Sequence, residues 1–538
     1  MLCLAAMGRD SSGQEPPAVA PLDPPASATN AELMEEFRKL RAEVDETRKL
    51  QQEVLRLRDE VAGLRAGGGG PPARHEAAPT GPGTGVGPGY ADGVPERYHS
   101  GAFASDQPEK ADADDYPLSR ARYRYHHDAT GPNGGGGYFG ITSFNDEFTL
   151  NLSNQITVDG TFFDRANLPT IEQGFNIPFA RTYLYGNITK DFSYQVGVQG
   201  SLGTFNLLDL FMAWHLTENI TLRAGKGLAP PLYEYYAFSP ALEPVITNSP
   251  LYQLAAKRPI GLMLTGTNFG DRVQWWSGMS NEGTSAFGNL NRNIEYNGAI
   301  DVTPFRGDDW AGTIWEGLGA GVGVSVGNNR YKLDQSGIAY TNNGEATTNP
   351  SFTTVVGLPF FVYKDGVAAD GIRTRVAPHI YWFGRFSVLA EYMDFSRELT
   401  DGTNRANSTQ RGYYVNASYW LTGERDFKGS GFQGYSTIEP LLPFIPSRGQ
   451  YGPGAWQIAA QWSEFNAGTS DIANGFADSA RSTNRMGNLM VGLNWWPNKY
   501  TRLSADYVST GFNRAIPLVG PGSIQEYQTF WMRFAMFF

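Results

Sequence analysis

Polar and apolar residues alternate with a period of two along most of the chain from Tyr138 onward. In 147–162 the even positions read Phe148, Leu150, Leu152, Asn154, Ile156, Val158, Gly160 and Phe162. The odd positions read Glu147, Thr149, Asn151, Ser153, Gln155, Thr157, Asp159 and Thr161. Successive strand residues point to opposite faces, so this is a long strand with one apolar and one polar face. The chain closes on the same pattern: Phe530, Met532, Phe534, Met536 and Phe538 share one face, Thr529 and Arg533 the other. Chain ends of soluble domains fray. The last strand of a membrane β-barrel instead pairs with the first and turns its outer face to lipid. Phe534, Met536 and Phe538 are read as the signal by which barrel assembly machinery would engage that strand.

The alternation predicts strands near 145–162, 178–188, 192–201, 206–216, 220–227, 259–267, 271–279, 293–302, 316–327, 371–383, 385–396, 411–421, 454–465, 485–496, 500–510 and 524–538. Short turns at 189–191, 217–219, 268–271, 383–385 and 496–499 alternate with long connections at 163–177, 228–258, 280–292, 328–370, 397–410, 466–484 and 511–523. Short periplasmic turns opposite long outer loops are the asymmetry of an outer-membrane barrel. A segment near 432–439 would make the count odd. Pro440, Pro443, Pro446 and Pro453 follow it, and strands tolerate proline poorly. The reading is therefore all-β: a 16-stranded antiparallel transmembrane barrel over 138–538, with 422–453 a periplasmic excursion and both barrel ends periplasmic. Sixteen strands enclose room for an aqueous channel.

Ahead of the barrel the pattern changes. Leu33, Phe37, Leu40, Val44, Thr47, Leu50, Val54, Leu57, Val61 and Leu64 form a heptad-like seam with a stammer at Thr47. Residues 31–65 are read as an oligomerising α-helical coiled coil, against a single amphipathic helix lying on the barrel. Residues 66–137 read as a Gly/Pro-rich linker, with Gly67 to Gly70 and a Gly-Pro alternation from Gly81 to Gly89. Arg120, Arg122, Arg124, His126 and His127 near its end read as a solvated basic patch rather than a metal site. Residues 1–30 read as a residual targeting or disordered segment, since Leu2 to Met7 looks like the tail of a secretory signal.

Composition narrows the function. Aromatic residues make up 13% of the 538 residues and charged ones 18%, with no apolar run near the length of a spanning helix. A net charge of −11 argues against nucleic acid. The single cysteine, Cys3, rules out a disulfide framework. Six histidines, with no nucleophile paired to His215 or His379 by spacing, give no catalytic constellation, so neither an enzyme nor a metal or other cofactor is expected. The glycines of Gly317 to Gly323 alternate with apolar residues. They fit a strand whose lumen face is bare to admit an inserted loop.

Strand parity puts Arg181, Arg223, Arg272, Arg373, Arg375, Arg502 and Arg533 on lumen faces, where a charge avoids the cost of facing lipid. Each is either a pore electrostatic element or a partner for the acids Glu147, Asp159, Glu295, Asp301 and Asp506.

The run Arg411 to Glu424 (RGYYVNASYWLTGE), then Gly454 to Ser463, Val491 to Asn498 and Arg502 to Tyr507, resembles the phosphate-selective porin O and P family. Ala180 to Phe192 is similar to that family's early strand pair, and Leu222 to Pro231 to its entry into the third outer loop. The resemblance covers 145–538 and leaves 1–137 unexplained. It implies a homotrimer of 16-stranded barrels in the outer membrane of a Gram-negative-type bacterium, each pore narrowed by an inward-folded third loop. Here that loop, Leu228 to Pro259, departs from the family. Its constriction candidates are Tyr233, Glu234, Tyr235, Tyr236 and Glu243, with Lys257 and Arg258 as its only basic residues. The expected function is passive diffusion of small hydrophilic solutes, anions such as phosphate among them. The alternative is a structural tether from outer membrane to cell wall or surface layer through the coiled coil.

Overall fold

The computed structural model describes residues 122–126, 138–143, 147–164, 173–201, 204–238, 242–281, 293–332, 351–429, 433–436, 438–518 and 522–538. The coiled-coil seam from Leu33 to Leu64, the segment 1–30 and most of the linker lie outside them.

Sixteen long strands form a closed antiparallel ring. They are β1 Thr149–Phe163, β2 Ala180–Asn187, β3 Phe192–Ser201, β4 Thr204–Thr217, β5 Ile220–Lys226, β6 Ile260–Asn268, β7 Val273–Asn281 and β8 Ile294–Val302. The second half comprises β9 Leu318–Lys332, β10 Ala368–Trp382, β11 Phe386–Thr400, β12 Arg405–Trp420, β13 Ala455–Asn466, β14 Arg485–Asn498, β15 Thr501–Pro517 and β16 Ser523–Phe537. Each strand pairs with its neighbours in sequence, and β16 closes on β1 from Thr529↔Phe163 to Phe537↔Gln155. Closure leaves none of these sixteen strands at a sheet edge, the one solution for strands in a bilayer.

Every strand anticipated from the alternation is present. The differences lie in how far strands extend. Residues 397–410, expected as a long loop, are mostly β11 and β12, joined by a turn at 401–404 in which Asp401 accepts the N–H groups of Thr403 and Asn404 at 2.9 and 2.7 Å. β15 runs to Pro517, well into the expected loop 511–523. Arg122–His126, placed in the linker, is a strand paired with Tyr138–Thr142. Tyr138–Thr142 in turn pairs with the start of β1, taking up the line that β16 leaves at Phe538.

The outer face is apolar. Ile156, Val158, Leu184, Val324, Ile380, Ile458, Leu489, Val491, Phe530 and Phe534 are all exposed there. The inner face is polar but covered. A ring this wide would leave its lining wet, yet Ser153, Gln155, Asp159, Asn488 and Asp506 are all fully buried. What covers them is an apolar core of inserted segments, including Leu232, Tyr233, Leu251, Phe352, Phe360 and Phe476. The third loop and residues 351–367 enter from the long-loop end. Gln253 and Thr353 clamp the two segments together, with Gln253 donating to the Thr353 carbonyl and accepting its N–H, both at 2.8 Å.

Candidate functional site

The third loop is held in the lumen by the polar wall that strand alternation creates. Loop N–H groups donate to wall carboxylates: Tyr233 and Glu234 to Glu391 at 2.6 and 3.0 Å, Ile246 to Asp506 at 2.6 Å. Loop carbonyls accept from wall donors: Leu254 from Arg375 at 2.7 Å, Pro244 from Asn494 at 2.6 Å, Ile246 from Arg533 at 3.2 Å. An irregular loop buried away from water must have its backbone groups paired, and the inward-facing residues supply the partners. The bare face of β9 makes room: a Cβ on Gly323 would lie 2.0 Å from the Pro231 carbonyl oxygen, as the Gly317 to Gly323 pattern anticipated.

The constriction candidates divide. Tyr233 stacks on His379 with ring centroids 3.8 Å apart, and His379 and Tyr381 both bond to Asp301 at 3.0 and 2.8 Å. Tyr235 packs on Tyr252 and Tyr236 on Trp276. Glu234 accepts from the Ser249 N–H at 2.6 Å and Glu243 from Asn248 at 2.9 Å. Both carboxylates border a cavity of about 20 Å³, room for one water, which Tyr435 and Asn416 also line. Arg258 pairs with Asp209 on β4, an acid that the sequence reading passed over. Lys257 sits with a φ of 66° where the loop returns to the wall. All five acidic and aromatic members of the set are buried in loop packing.

The arginines divide as well. Arg373 and Arg375 share Glu295, the first at 2.6 Å. Arg533 takes both oxygens of Asp159. Arg502, buried over the Trp496 ring, donates to Asn494 at 2.8 Å. These four are structural partners with no solvent face. Arg272 stands outside the strands, in the β6–β7 turn, and donates to the Arg306 carbonyl at 2.7 Å. Arg181 and Arg223 remain half-buried on the β2–β5 side. Arg181 bonds Gln199 at 2.5 Å, and Arg223 donates to the Leu228 carbonyl over the rings of Phe211 and Trp276. Among the described residues neither forms an ion pair. Around them Ser193, Gln195, His215, Thr221 and Thr265 are also only half-buried, so this wall is the least covered part of the lumen.

The excursion 421–454 re-enters from the short-turn end. Asp426 accepts from Ser387 at 2.6 Å and the Trp420 indole at 3.0 Å. Burial pushes its carboxyl up to about 6. Lys428 donates to Gln274 at 3.1 Å, and burial lowers its amine to about 8 against the pull of Asp301. Tyr435 meets Phe238 at the foot of the third loop, where the Gly434 N–H donates to the Ala237 carbonyl at 2.7 Å. The sequence signalled the excursion through its prolines but carried no sign that part of it turns back into the lumen. Among the described residues no cluster of His, Cys, Asp and Glu is arranged to hold a metal ion.

Residues 361–515 match the model of the family described as phosphate-selective porin O and P. Porin O of Pseudomonas aeruginosa is 28% identical over 189 residues, which span 33% of this chain and 38% of that relative. The match therefore takes in well under half of the relative's length. Among solved structures, an anion-selective porin from Comamonas acidovorans superimposes with a TM-score of 0.44 at 11% identity, over 73% of this chain and all of that one. The outer membrane channel DcaP of Acinetobacter baumannii gives 0.42 at 10% identity, over 74% and 99%.

Proposed function

Residues 361–515 carry the phosphate-selective porin O and P family signature, and on that premise we propose that this chain is an outer-membrane porin, a passive channel rather than an enzyme. The observation that carries the proposal is the closed ring itself, apolar outside and polar within. Such a cylinder suits lipid on one face and water on the other.

Solutes pass along the β2–β5 wall, beside Arg181 and Arg223. Two half-buried cations that form no ion pair among the described residues give that path a mild preference for anions. Among the described residues the other lumen arginines are paired with acids or buried against the loop, which leaves few to build a dense phosphate-binding ladder. Small hydrophilic solutes, small anions among them, are the proposed cargo. The family resemblance supports a homotrimer with one pore per subunit.

Reversal potentials across planar bilayers in a potassium chloride gradient test this reading, with potassium phosphate for comparison. A small reversal potential of anionic sign in both salts is expected. Strong preference for phosphate over chloride, or for cations, would overturn the assignment of the path.

A further inference from the structure

The part of the excursion that does not enter the lumen has its own character. Phe444–Ile445 and Gln450–Tyr451 form a small antiparallel hairpin at the short-turn end. Leu441 and Leu442 are each 62% exposed and Tyr451 74%, with Phe444 exposed beside them. Four large apolar side chains uncovered within eleven residues are a poor arrangement for a projection into water.

The hairpin leans on the outside of the barrel. Phe444 contacts Trp495 with centroids 6.0 Å apart, and Trp495 stacks on Trp456 at 5.5 Å. Both indole N–H groups donate to the Pro453 carbonyl, at 3.0 and 2.9 Å, fastening the end of the hairpin to this pair. Trp456 shares its face of β13 with exposed Ile458 and Trp462. Trp495 shares its face of β14 with exposed Leu489, Val491 and Leu493. The hairpin thus continues the apolar outer band past the last turn of the strands. Paired tryptophans at that edge are where a barrel meets the headgroup region. Arg448 is exposed at the hairpin tip, and a basic side chain beside exposed leucines suits an interface where the cation meets lipid phosphates and the apolar groups meet acyl chains. At the base, Leu441 donates its N–H to Glu424 at 3.0 Å, and Glu439 pairs with Lys499 at 3.6 Å.

We propose that residues 441–452 form an interfacial foot seated in the periplasmic leaflet of the outer membrane, with lipid as its partner. The proposal rests on the membrane-barrel reading, and its test separates the two. The full chain, with Cys3→Ser, is refolded into phosphatidylcholine vesicles containing spin-labelled lipid, and a bimane label is attached at Leu442→Cys or, separately, at Leu493→Cys on the outer band. Quenching by spin-labelled lipid at 442, within about twofold of that at 493, is expected, with little quenching by aqueous iodide at either. Lipid quenching at 493 but iodide quenching at 442 would mean that water surrounds the foot and would overturn the proposal. A label at 442 shielded from both quenchers would also overturn it, by placing protein there, such as a second copy. Loss of lipid quenching at 493 as well would overturn the membrane reading beneath it.

Discussion

Arg533 donates two hydrogen bonds to Asp159, 2.8 and 2.7 Å long, across the seam where the last strand of the barrel meets the first. Both side chains are buried, and Arg533 also reaches the Ile246 carbonyl of the third loop. One guanidinium thus joins ring closure to loop placement. Removing it in Arg533→Ala leaves a buried carboxylate without its charge partner, a loss of about 3–5 kcal/mol. Urea unfolding in detergent micelles should show that loss, and Asp159→Asn combined with Arg533→Ala should recover part of it.

At Gly323 the third loop touches the wall backbone. A side chain there cannot fit while Pro231 keeps its place. Gly323→Val should leave the ring intact by circular dichroism, lower stability by about 1–3 kcal/mol through overpacking, and raise single-channel conductance by displacing the loop.

The excursion should dock with a definite pH dependence. Asp426 holds its proton more tightly when docked, at about 6 against an ordinary value near 3.9, so the free segment binds fewer protons between those limits. Docking therefore weakens as pH rises from about 4 to 6, by about 3 kcal/mol at most. Lys428 works in the opposite sense. Its docked amine titrates at about 8, below the ordinary 10.5, so docking strengthens as pH rises from about 8 toward 10.5. Conductance should be greatest between about pH 6 and 8. Asp426→Asn should flatten the acid limb alone, which bilayer recordings across pH would read directly.

Arg181→Gln with Arg223→Gln removes two half-buried lumen cations that form no ion pair among the described residues. Reversal potentials should move toward cation preference, whereas Arg373→Gln should lower stability instead, because Arg373 serves Glu295.

Alternation made the ring legible because each strand must turn one face to lipid and one inward, a constraint that repeats sixteen times. The bare face of β9 showed from its glycines that a loop would enter. The filling of the lumen was harder to see. Phe352, Phe360, Phe361 and Tyr363 sit in a stretch expected as an outer loop, and their aromatic density was the available signal that it packs inward. Asp209 and Glu391 went unremarked because an acid on a strand's polar face looks alike whether it meets water, an arginine or a loop N–H. Their third-loop partners lie far off in sequence, Arg258 49 residues from Asp209 and the Tyr233 and Glu234 N–H groups more than 150 from Glu391, and no local pattern encodes such contacts.

Recording from the refolded chain in planar bilayers tests the central claim most directly. Stepwise insertion of discrete, ohmic conductances that persist at low voltage is the predicted result. A detergent-solubilised, β-rich protein that enters the bilayer and passes no current over the whole pH range would contradict it.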